Sequence, residues 1–127
     1  MRPRLILTIG AVLAAIFGFA LLLAPDSMQT SFGLAPTPGG AVLSRDLGVV
    51  LLAVAMLDWM ARDAEPGRAL TAVLTGNLLV QALEIAVDSY HVATGQMAPA
   101  GIGAIVMHVL LGLGFALALW RPTPDRA

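Results

Sequence analysis

Four stretches of the chain are almost uninterrupted in apolar side chains, and the polar residues gather between them. The first runs from Leu5 to Ala24 with Thr8 as its one polar side chain, and Pro25-Asp26 ends it. The second covers about Ala41 to Met60, the third Ala69 to Tyr90 and the fourth Gly101 to Trp120. Each is close to the roughly 20 residues that, at a rise of about 1.5 Å each, cross a hydrocarbon layer about 30 Å thick. The pattern predicts an all-α chain: a bundle of four transmembrane helices, at about 5–24, 41–60, 69–90 and 101–120, forming one integral membrane domain over residues 1–127. The first stretch exceeds the roughly 7–15 apolar residues of a secretory signal, and Leu22-Leu23-Ala24 makes a poor cleavage site, so it reads as a retained helix. The segment from Pro25 to Gly40 reads as a connecting loop, with Met28, Phe32 and Leu34 as the side chains able to cover one end of the bundle.

Within the third stretch the polar residues have a period of their own. Asn77, Gln81, Glu84, Asp88 and His91 follow at steps of four, three, four and three. At about 100° per residue they fall within an arc of roughly 80°, one stripe on an otherwise apolar helix. Facing lipid, each such group would cost several kcal/mol, so the stripe must look into the bundle or at a partner.

Composition narrows the function classes. The 127 residues are 58% hydrophobic and 12% charged, which leaves too few charges to cover a water-exposed surface and argues against a soluble enzyme. All seven basic residues are arginine, with no basic stripe to grip phosphates, so no nucleic-acid partner is expected. Without cysteine there is no disulfide, thiolate nucleophile or cysteine metal site. No cofactor is required by any motif, and no phosphate loop or paired-histidine zinc motif is present. With the N-terminus inside, Arg2, Arg4, Arg62, Arg68, Arg121 and Arg126 all lie on the inner side and Arg45 alone outside. That bias predicts both termini in the cytoplasm of a bacterial inner membrane, with Trp59 and Trp120 as anchors at the inner interface.

Depth along the helices suggests which polar groups meet. Glu84 lies six residues before Tyr90 and His108 seven residues into the fourth stretch, at similar heights, while Arg45 and Asp46 are level with Asp88. The expected cluster joins helices two, three and four through Arg45, Asp46, Asn77, Gln81, Glu84, Asp88 and His108, with the Arg45 guanidinium gripping Glu84 or Asp88 by paired hydrogen bonds. Its bland role is to hold the helices together; its chemical role is proton exchange by Glu84 and His108. Asp58, four residues before Arg62, reads as half of a local interfacial salt bridge. No metal site is expected. A haem held by His91 and His108 is the weak alternative, disfavoured by a depth difference of about 10 Å. Gly10, Ala14 and Gly18 in the first stretch, and Ala104, Gly112 and Ala116 in the fourth, form small-residue ridges suited to helix packing.

With these elements placed, the chain resembles the small four-helix bacterial membrane proteins of the DoxX-like type. The resemblance rests on Leu23-Ala24-Pro25, on Ser31-Phe32-Gly33-Leu34, on Arg45-Asp46-Leu47-Gly48 and on the Trp59 to Arg62 closure of the second helix. It implies an inner-membrane bundle, in some relatives an accessory subunit of a redox complex, with no catalytic residue to carry over. The sterol-isomerase-like membrane proteins are a related four-helix group using acidic and histidine side chains in a lipid-facing cavity, parts that Glu84 and His108 would play here. The expected function is an accessory or scaffold subunit or a binder of a hydrophobic small molecule, without enzymatic activity. A membrane acid/base enzyme acting on an isoprenoid, sterol-like or quinone substrate is the alternative, and a proton-coupled transporter working as an oligomer the second. Expected partners are membrane lipid, a hydrophobic small molecule, and a larger membrane complex or further copies of the chain.

Overall fold

The computed structural model describes residues 2–120; Arg121 and Arg126 of the arginine count lie outside them. Five α-helices follow in order: α1 (Pro3–Leu23), α2 (Pro25–Ser31), α3 (Pro38–Ala61), α4 (Arg68–Ala93) and α5 (Ile102–Leu119), with a 3₁₀ turn at Pro99–Gly101 before α5. Four of them, all but α2, are long and apolar enough to cross a membrane.

Proline sets several of the boundaries. Pro3, Pro25 and Pro38 each occupy the first turn of a helix, where the missing N–H has no intrahelical partner to lose and the fixed φ already suits the helix. Pro25 therefore starts α2 as well as stopping α1, so the segment expected as a plain loop contains a short helix. Thr37 caps α3, its hydroxyl accepting from the Gly40 amide at 3.0 Å. Gly33 turns the chain out of α2 at φ +75°, a conformation that L side chains rarely adopt.

The helices associate as two pairs. α1 runs along α3 and α4 along α5; α1 meets α5 over a shorter front, and α3 scarcely touches α4. Lipid competes for apolar side chains, so close backbone approach is what fixes such a pair. Gly18 and Gly48 supply it: a Cβ on Gly48 would stand 2.8 Å from the Gly18 carbonyl oxygen. The small-residue ridge of α1 thus serves the α1–α3 contact.

One end of the bundle is solid. Around α1's start and α5's finish, Ile6, Leu7, Leu70, Leu74, Leu111 and Phe115 form the buried core. Arg4 pairs with Asp63 at 3.2 Å across this end, and the Arg62 guanidinium lies 3.2 Å above the Trp59 ring. Large side chains on the outer faces, such as Ile16, Leu43, Leu83 and Leu110, are exposed on the chain by itself. Such a belt suits hydrocarbon surroundings, where these residues have nothing to gain by burial.

Candidate functional site

Toward the α2 end, the two helix pairs do not close on each other. They leave a cavity of about 400 Å³, walled mainly by Leu13 and Phe17 of α1, Leu51 and Val54 of α3 and Met107 of α5. Met28, Phe32 and Leu34, in and just after α2, line its end, with Met97 of the α4–α5 connection. The Ala98 amide donates to the Phe32 carbonyl at 3.3 Å and ties those two segments together. A second cavity, of about 410 Å³, lies along the sparse α3–α4 seam and shares Val54, Asp58, Asn77 and Val80 with the first.

The polar lining comes mostly from α4. Asn77, Gln81, Glu84 and Asp88 all reach the cavity, because their steps of four, three and four keep them on one helix face. Opposite, His108 of α5 approaches the same stripe. Its Nδ1 lies 2.7 Å from Gln81 Oε1, so Nδ1–H donates, and in the neutral ring Nε2 is then the acceptor. Nε2 lies 3.9 Å from Asp88 Oδ2. Ligand atoms of Glu84, Asp88 and His108 fall within 4.8 Å of one another, the place among the described residues where three groups able to hold a cation converge. Gln81 and Asp88 are buried and Glu84 and His108 half-buried, so these charges sit largely away from water.

Two of the expected members are elsewhere. Arg45 and Asp46 are exposed and do not line the cavity. The reason is rotational. On α3 the cavity is lined by Leu47, Leu51, Val54 and Asp58, and Arg45 lies roughly 150° around the helix from that stripe. Counting along a helix gives a height and not a face. His91 also falls outside: it does not line the cavity, so the haem pairing with His108 has no geometric basis.

Asp58 corrects a further expectation. Rather than pairing with Arg62, it is wholly buried against α1 and α4. Asn77 Nδ2 donates to its Oδ1 at 2.7 Å, and Oδ2 has no partner among the described residues. A Cβ on Gly10 would come within 2.8 Å of that oxygen, so the glycine makes room for the carboxylate. Arg62 instead turns to its neighbour Asp63 at 3.2 Å and to Trp59. The signal was present in the sequence: Asp58 continues the four-three-four spacing of Leu47, Leu51 and Val54.

Comparison with known proteins adds no relative. No family model, no curated protein and no solved structure matches the chain.

Proposed function

We propose that the protein binds a hydrophobic small molecule inside the membrane, in the cavity between the α1–α3 and α4–α5 pairs. One observation carries this reading: an apolar cavity of about 400 Å³ has a polar stripe, Asn77 to Asp88 on α4, faced by His108 of α5. A void with that lining suits a molecule with an apolar body and one polar end, since apolar walls supply contact area and a few placed polar groups fix orientation. The thin α3–α4 seam gives such a molecule a route from the bilayer, whereas Met28, Phe32 and Leu34 shield the end of the cavity.

The arginine distribution supports a bacterial inner membrane with both termini inside. On the DoxX-like resemblance, the bound molecule serves an accessory role beside a larger membrane complex. A second reading is proton transfer to or from that ligand, favoured by one feature: Gln81 holds His108 Nδ1, which directs Nε2 toward Asp88, beside Glu84.

Native mass spectrometry of the protein, extracted gently from its own membrane, tests the binding reading. A retained small molecule that disappears on Leu51→Trp, which fills the cavity, is the expected result. Bare protein from both wild type and variant, together with no change in melting temperature when membrane lipid extract is added, would overturn it.

A further inference from the structure

Three carboxylates and one imidazole are the ionisable groups lining the cavity. Among the described residues these are Asp58, Glu84, Asp88 and His108; no arginine lines it, and the chain has no lysine. We propose that the cavity selects a lipophilic cation, an amphiphile with one positively charged head and an apolar body. This rests on the reading of the cavity as a hydrophobic-ligand site and names the chemical class of its occupant.

Because Arg45 is exposed and does not line the cavity, the carboxylates there have no arginine partner among the described lining residues. Glu84 and Asp88, one helical turn apart on α4, face the cavity, where His108 is the one basic side chain among the described lining residues, and a single imidazolium offsets only one carboxylate. Uncompensated charge away from water is costly, and a cationic head beside Glu84 and Asp88 removes that cost.

A separate observation comes from the other end of the cavity. Asp58 is fully buried there, and among the described residues its Oδ2 has no hydrogen-bond partner and no arginine pairs with it. The site thus carries acidic groups at both ends of an apolar wall. Phe17 and Phe32 line the same space, and aromatic faces attract cations further.

Other occupants fit less well. An anion would meet carboxylates, and a neutral quinone would find the Gln81 amide as a donor, since Asn77 Nδ2 already serves Asp58 and the Val73 carbonyl and His108 Nδ1–H serves Gln81. A bare divalent ion would suit Glu84, Asp88 and His108 but leave the surrounding apolar volume empty.

The test uses the full chain in a non-ionic detergent, with tetraphenylphosphonium and tetraphenylborate as probes of matched shape and opposite charge. A short-chain neutral quinone and Zn²⁺ complete the set, and binding is followed by calorimetry. Tetraphenylphosphonium should bind at least about tenfold more tightly than the other two organic probes, a difference of about 1.4 kcal/mol. Glu84→Gln and Asp88→Asn should each weaken it about tenfold, Glu84→Asp should largely retain it, and Leu51→Trp should abolish it. Melting curves identify any variant that fails to fold, and the probe series on wild type decides the matter without variants. Equal or tighter binding of tetraphenylborate or the quinone overturns the cation inference while leaving a hydrophobic-ligand site intact. Zn²⁺ binding that depends on Glu84 and His108, with no tetraphenylphosphonium binding, also overturns it. If no organic probe binds, both readings fall together.

Discussion

The two ends of this bundle are built from the same four long helices, yet one is packed solid and the other is hollow. At the end where α1 begins and α5 finishes, Ile6 and Leu7 are buried in a continuous apolar core. Toward α2, the same helices diverge around about 400 Å³ of space, and α4 turns its polar stripe into it. Holding a membrane bundle together needs only one well-packed region and close backbone crossings. The hollow half is therefore free to hold groups that stability alone would not select, among them Glu84, Asp88 and His108.

Substitutions that separate the halves are the sharpest tests of this division. Leu7→Ala, in the packed end, should cost about 2–5 kcal/mol in reversible unfolding from mixed micelles, whereas Leu51→Ala, against existing space, should cost well under half as much. Similar losses at the two positions would erase the distinction. Gly48→Ala comes next, at about 1–3 kcal/mol, because its new methyl meets the Gly18 backbone, which has no rotamer by which to yield. Asn77→Ala tests the boundary between the halves. It leaves both Asp58 oxygens without a partner, and a loss of about 1–3 kcal/mol is expected in the same assay. If Asn77→Ala is neutral, Asp58 is satisfied in some other way at the cavity's inner end. The smallest effect is expected on the α3–α4 seam, where a methyl on Gly76 would meet no neighbouring atom. Gly76→Ala should change stability by no more than about 1 kcal/mol, in the stabilising direction that helix propensity gives. A marked loss there would show that another chain packs against the seam.

Much of the site was legible in advance because periodicity on one helix is a local property. The spacing of Asn77, Gln81, Glu84 and Asp88 puts them on one face whatever the rest of the chain does, and depth counting put His108 near them. His91 obeyed the same period but lies at the end of α4, past the cavity. Arg45 and Asp58 went the other way. Their heights were readable, yet which face of α3 meets the bundle depends on the Gly18–Gly48 crossing with α1.

The sequence by itself determined four helices long and apolar enough to cross a membrane, their approximate limits and the polar face of α4. Those follow from hydropathy, from helical periodicity and from proline, each acting within a few turns of chain. Only the tertiary structure decided that the helices pair as α1–α3 and α4–α5, that Pro25–Ser31 forms a helix beside the cavity, and that Asp58 enters the interior while Arg45 leaves it. Rotation of one helix against another is set by contacts between residues far apart in the chain, and counting along a single helix fixes height without fixing direction.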